Sequence, residues 1–190
     1  LAVPVVAAAL LFALRGDLGR DLAVVRAAAD RGDDIQALVV GPMERHPSEP
    51  WFPYVAGLDR LQHREPAAAL RHLNRVLALD PPSWRAHHAI AEALALAGHR
   101  RQALLEERLA YVRSGYSPQA LTILPRLGDL RGGGALEAFV GGDTEVLRPL
   151  ATWFEAGRRD DDAEWLARRL VEVDPQSGDG HRLLARILLR

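Results

Sequence analysis

The stretch Pro50–Ser83, PWFPYVAGLDRLQHREPAAALRHLNRVLALDPPS, decides the expected fold. It reads as two amphipathic helices, one near Trp51–His63 and one over Pro66–Leu79. Pro66 suits the first turn of a helix, and the run Asp80-Pro81-Pro82 ends the second helix. The stretch therefore predicts a pair of helices joined by a short turn.

Small residues recur along the chain at a fixed spacing. The same interval of twelve residues separates three pairs: Gly57 and Ala69, Ala91 and Ala103, Ala151 and Ala163. Ala69 and Ala103 are 34 residues apart, so the interval belongs to a longer repeat. Small side chains are expected where two helices cross closely, because a bulky side chain would hold the axes apart.

With these spacings the chain resembles the tetratricopeptide repeat (TPR) family over about two thirds of its length. The resembling residues are Gly57, Ala69, Leu77, Asp80-Pro81, Ala91, Gly98, Ala103, Ala110, Ala151, Ala163 and the run LVEVDP over Leu170–Pro175. The resemblance implies an all-α protein, a right-handed α-solenoid of antiparallel helix pairs with about 10–12 helices.

The repeats suggest a division of the chain into five segments. Residues 1–14 are apolar, 15–48 form a degenerate helical repeat, 49–117 two TPR-like repeats, 118–142 a Gly/Pro-rich helical connector, and 143–190 a repeat plus a terminal helix. Short helices are expected near Pro118–Leu127 and Ala135–Val140 in the connector, between its glycines and prolines. The connector is either a compressed helical pair or a hinge.

The segment Leu1–Leu14, LAVPVVAAALLFAL, contains no polar side chain. It is either a buried terminal helix or the end of a membrane span that begins upstream, since a span needs about 20 such residues. We expect the chain to be cytoplasmic if it is soluble, and to lie on the periplasmic side of the membrane if the segment ends a span. The chain begins at Leu1 instead of Met, which favours a fragment of a longer protein.

Composition favours helices and excludes several chemistries. The chain has 31 Ala, 31 Leu and 24 Arg, but neither Lys nor Cys. Ala, Leu and Arg are good helix formers. Without Lys and Cys there is no Schiff-base lysine, P-loop lysine, disulfide, thiol nucleophile or cysteine metal site. The net charge is −1 with interleaved signs, so no basic stripe suggests nucleic-acid binding.

Three short motifs are candidates for chemical sites. The run Gly132-Gly133-Gly134 lacks the residues of a phosphate loop and predicts a flexible turn. The adjacent pair His87-His88 points about 100° apart on a helix, and no two histidines are four residues apart, so we expect no metal site. Asp160-Asp161-Asp162 is interpreted as the cap of a helix beginning near Ala163. We therefore expect that this chain binds no cofactor and has no enzymatic activity.

The resemblance implies a partner-binding groove lined by the first helix of each repeat. The residues carried over to it are Trp51, Tyr54, Leu58, Leu61, Arg85, His88, Glu92, Arg148, Thr152, Arg182 and Arg186. Aromatic and Arg side chains often dominate interface energies, although Trp51 and Tyr54 alternatively pack between helices. Tyr54 and Leu58 stand at the first two positions of the family's carboxylate clamp, so a receptor for chaperone tails is not expected.

Three functions remain open at this point. The leading interpretation is a non-catalytic helical-repeat scaffold that binds a protein or peptide. The alternative is the extracytoplasmic TPR-like tail of a bacterial membrane glycan polymerase or O-antigen ligase-like enzyme, which the chain also resembles and whose catalytic part would lie upstream. The third is homo-oligomerisation through the terminal helix, because Leu183, Leu184, Ile187 and Leu188 make it apolar.

Overall fold

The computed structural model describes residues 18–117 and 132–189, and these residues form ten α-helices and no strand. The expectation of an all-α protein is confirmed. The helices are α1 (18–30), α2 (Gln36–Arg45), α3 (Trp51–Gln62), α4 (Pro66–Leu79), α5 (Trp84–Leu96), α6 (Arg100–Arg113), α7 (Gly132–Val140), α8 (Thr144–Ala156), α9 (Asp160–Val173) and α10 (Gly178–Leu188).

The described chain divides into two compact units. Unit 1 comprises the described residues up to Pro82 together with Glu92–Ala97, and unit 2 comprises Ser83–Ala91 with the described residues from Gly98 onward. Helix α5 is thus shared, since its first part belongs to unit 2 and its last turn to unit 1.

Unit 1 is held together by α3, which packs against both α2 and α4. A Cβ atom added at Gly57 of α3 would lie 2.8 Å from Cγ and Cδ2 of the buried Leu73 on α4. Ala69 at the start of α4 is fully buried as well. The predicted close crossing at Gly57 and Ala69 is therefore present, and it depends on the absence of a side chain at Gly57.

Unit 2 is built around α8 and α9, with α7 and α10 packed against α9. Its core joins side chains from five helices, α6 to α10, and its largest fully buried members are Tyr111, Leu136, Phe139, Leu147, Leu150, Phe154 and Leu166. Burial of this apolar surface, at about 25 cal/mol per Å², is the main force that holds the helices together.

Four helix–helix turns have three residues each and a positive φ at the middle residue: 60° at Arg64, 86° at Gly98, 80° at Gly142 and 58° at Arg158. Two of the turns also share a closing bond, because Glu65 N donates to Arg60 O over 2.8 Å and the third residue of the α8–α9 turn donates to Phe154 O over 2.9 Å. Such bonds satisfy carbonyls at helix ends.

Two sequence interpretations are wrong in detail. Gly132-Gly133-Gly134 is not a turn but the first turn of α7, since Leu136 and Phe139 are fully buried and tertiary packing outweighs the low helix propensity of glycine. Helix α9 begins at Asp160, so the three aspartates form its first turn and the preceding N-cap residue makes no side-chain cap bond. The predicted helix near 118–127 and the segment 1–14 lie outside the described residues.

Candidate partner-binding site

The residues predicted to line a groove are divided between the two units. Trp51, Tyr54, Leu58 and Leu61 lie on α3 in unit 1, together with Glu92 from the last turn of α5. The members in unit 2 are Arg85, His88, Arg148, Thr152, Arg182 and Arg186. The two groups are therefore described separately.

Unit 1 contains a cleft between α3 and the last turn of α5, which we call the α3–α5 cleft. Its volume is about 270 Å³, and it is lined by Leu58, Leu61, Gln62, Glu92 and Leu96. Each helix contributes a pair of residues four apart, which places both members on one helix face. Three of the predicted groove residues thus meet in one concave, largely apolar site.

The lining of the α3–α5 cleft combines apolar and polar groups at different depths. Leu61 is buried, Leu58 and Glu92 are half-buried, and Gln62 and Leu96 are exposed at the ends of their helices. Sequence reasoning missed Gln62 and Leu96. The signal that identifies them is their position four residues after Leu58 and Glu92.

The two aromatic residues predicted for the groove do not line the α3–α5 cleft. Trp51 is half-buried against the core of unit 1, in an edge contact with Phe52 at 5.6 Å between ring centroids. The guanidinium of Arg26 lies 5.5 Å from its ring centroid. Trp51 therefore takes the packing role that the sequence left as an alternative, and Tyr54 is half-buried beside it on α3.

The three arginines predicted near the C-terminus are engaged in ion pairs within unit 2. Arg186 makes a bidentate pair with the buried Glu155, at 2.7 Å from Nε and 2.6 Å from Nη2. Arg148 and Arg182 both pair with Asp179, the former at 3.5 Å. The hydrogen bond from Arg182, followed by its charge and the contact with Arg148, lowers the pKa of Asp179. The pairs of Arg148 and Arg186 connect α8 with α10, whereas the pair of Arg182 lies within α10.

The adjacent histidines of α5 face two adjacent glutamates of α6 in unit 2. Nδ1 of His87 lies 2.8 Å from Glu106 Oε2, and Nδ1 of His88 lies 3.2 Å from Glu107 Oε2. Glu107 is fully buried, and within the described ranges its Oε1 has no hydrogen-bond partner. His88 is therefore a structural contact of a buried carboxylate, and a buried carboxylate depends strongly on such a partner.

The remaining predicted residues, Arg85 and the apolar side chains of α10, differ in their exposure to solvent. Arg85 is exposed and its guanidinium lies 4.7 Å from the ring centroid of its neighbour Trp84. In the terminal helix α10, Leu183 and Ile187 are buried in the core of unit 2, whereas Leu188 is 54% exposed. Most of the apolar face of α10 is thus used inside the unit.

Within residues 18–117 and 132–189, no group of three or more His, Asp and Glu side chains is arranged to hold a metal ion. Over the same ranges, no helix combines the length and the apolar character that crossing a bilayer requires.

Comparison with family models and with curated proteins finds no match for this chain.

Proposed function

We propose that this chain is a non-catalytic helical-repeat scaffold that binds a peptide or an exposed segment of a partner protein in the α3–α5 cleft. The proposed architecture is a TPR-like right-handed solenoid of antiparallel helix pairs. The observation that carries the proposal is the cleft itself, because residues selected by their repeat position, Leu58, Leu61 and Glu92, line one concave surface.

The helix pattern supports the repeat interpretation. The pairs α3/α4, α5/α6 and α8/α9 consist of helices of 12 and 14, 13 and 14, and 13 and 14 residues. The second helix of each pair carries a buried alanine at its fourth position: Ala69, Ala103 and Ala163. A recurring unit of this kind presents the same face of each first helix, which is how repeat proteins form concave binding surfaces.

The chemistry of the cleft fits recognition of a side chain better than catalysis. Leucine side chains, an amide and one carboxylate offer burial and hydrogen bonding. They do not pair a nucleophile with a base, which covalent catalysis requires. A concave apolar site with a few polar groups is typical of a ligand pocket.

The proposal is tested with peptides selected from a random displayed library against the full chain, whose affinities are then measured by fluorescence anisotropy. Leu96→Ser changes a cleft leucine that is 46% exposed, and Leu105→Ser, at 50% exposure on α6, is the matched control. Loss of one buried leucine contact should weaken binding about tenfold or more in the cleft variant. The control should bind as the unchanged chain does.

Far-UV circular dichroism must show both variants to be folded. Equal affinity of the two variants would place peptide binding elsewhere on the molecule, and failure to enrich any peptide would refute the proposed function.

A further inference from the structure

The carboxylate of Glu92 distinguishes the α3–α5 cleft from the other polar clusters of the molecule. Glu92 is half-buried, and among the described residues it has neither an ion-pair nor a side-chain hydrogen-bond partner. By contrast, the buried carboxylates Asp59, Glu107 and Glu155 each contact a cationic or histidine side chain. A carboxylate that is partly removed from water gains most from a cationic partner.

The ends of two helices add negative potential at the same place. Helix α3 ends at Gln62 and helix α5 at Leu96, and both of these residues line the cleft. The C-terminal end of a helix carries partial negative charge, which favours a cation nearby. The last turn of α5 contains no basic residue.

Arg60, the cation in the last turn of α3, already forms ion pairs with other carboxylates. Arg60 lies 2.8 Å from Glu65, 3.1 Å from Asp59 and 3.2 Å from Asp34. The hydrogen bond to Glu65 raises the pKa of Arg60. Among the described residues, the last turn of neither helix therefore supplies a cation to Glu92, and the cleft presents apolar surface beside this unpaired carboxylate.

We infer that the α3–α5 cleft recognises a peptide segment in which an apolar side chain lies next to an arginine or lysine. The apolar side chain packs against Leu58, Leu61 and Leu96, and the cationic group pairs with Glu92. The exposed amide of Gln62 is available to hydrogen-bond a peptide group at the cleft edge. This inference rests on the proposed function and adds to it the charge of the partner.

The test uses an immobilised library of short acetylated and amidated peptides with apolar–basic, apolar–acidic or apolar–neutral cores. The full chain should prefer the apolar–basic class. Glu92→Gln should weaken that class about tenfold, the loss expected for one charge-assisted hydrogen bond. Glu92→Arg should shift the preference to the apolar–acidic class. Glu44→Gln, on the exposed face of α2, is the matched control and should change nothing.

The outcomes separate this inference from the function on which it rests. If peptides bind and Leu96→Ser weakens them, but Glu92→Gln and Glu92→Arg leave the class preference unchanged, the charge inference is overturned and peptide binding stands. If no class of peptide binds the unchanged chain, both are overturned.

Discussion

Gly57→Ala tests the close crossing of α3 and α4 directly. The new Cβ would lie 2.8 Å from Cγ and Cδ2 of Leu73 and 3.5 Å from the carbonyl oxygen of Ala69. Leu73 is fully buried, and its Cγ is not the free end of a flexible side chain, so the two helices must separate. Overpacking of this kind costs about 1–3 kcal/mol, whereas replacing a helical glycine with alanine gains about 1 kcal/mol. We expect a net loss of about 1 kcal/mol.

The assay is urea unfolding of the full chain, followed by far-UV circular dichroism, with Gly19→Ala as the control. Gly19 lies in α1, and beyond its own helix no atom of the described residues lies within 4 Å of the added Cβ, so the control gains helix propensity without a clash. In a Leu73→Ala background the clash is relieved, and Gly57→Ala should become stabilising, which gives a coupling energy of about 2 kcal/mol. Equal stabilisation by Gly57→Ala and Gly19→Ala would refute the close crossing.

Three further predictions concern ionisable groups of unit 2. Arg186→Met removes the bidentate partner of the buried Glu155 and should lower the urea concentration at the unfolding midpoint, and adding Glu155→Gln should restore part of the loss; an unchanged midpoint would contradict the structural role of the pair. Arg182→Gln should raise the depressed pKa of Asp179 toward the ordinary range of an aspartate in a carboxyl ¹³C NMR titration. Because the folded pKa is lowered, the pair stabilises the fold above about pH 3.9, and this contribution is lost as the pH falls through the folded value; an unchanged titration would rule the pair out. Tyr111→Phe removes a buried hydroxyl that has no hydrogen-bond partner among the described residues and should stabilise the protein by about 1 kcal/mol. Burial, followed by the charge of the neighbouring tyrosine, raises the pKa of Tyr111 to about 12. Because the unfolded tyrosine ionises at a lower pH than the folded one, the free energy of unfolding should fall as the pH rises from about 10 to about 12, and an absorbance titration of the variant should lack the step near pH 12; retention of that step would contradict the assignment.

The helices of residues 50–83 were predictable because their signals are local. Pro66 and the run after Leu79 fix the ends of α4, which the structure reproduces at Pro66–Leu79. The start of α9 was predicted three residues late, since aspartates are favourable both as caps and in a first helical turn. The helical glycines of α7 were missed because burial of Leu136 and Phe139, which stabilises that helix, is a property of the tertiary fold.

The candidate site was predictable only in part, for a physical reason. Repeat position selects residues that face the same direction, and this was sufficient for Leu58 and Glu92. Repeat position does not show whether a charged side chain forms an ion pair within the folded protein. Arg148 pairs with Asp179 and Arg186 with Glu155, in both cases across 31 residues of sequence, so their engagement depends on how the helices pack.

The near balance of 24 arginines against 25 acidic residues makes the amount of charge a poor guide to a binding site. Several charges pair within one helix or between helices, as Arg168 does with Glu164 and Arg148 with Asp179, and exposed pairs of this kind contribute little to stability. Specificity is then expected at the position where a partly buried charge lies against apolar surface and has no partner among the described residues. In unit 1 that position is Glu92, next to Leu58 and Leu96. A partner that supplies a cation next to an apolar side chain gains binding free energy both from the ion pair with Glu92 and from burial of apolar surface. An acidic partner is instead repelled by the charge of Glu92 and by the negative ends of the two helices.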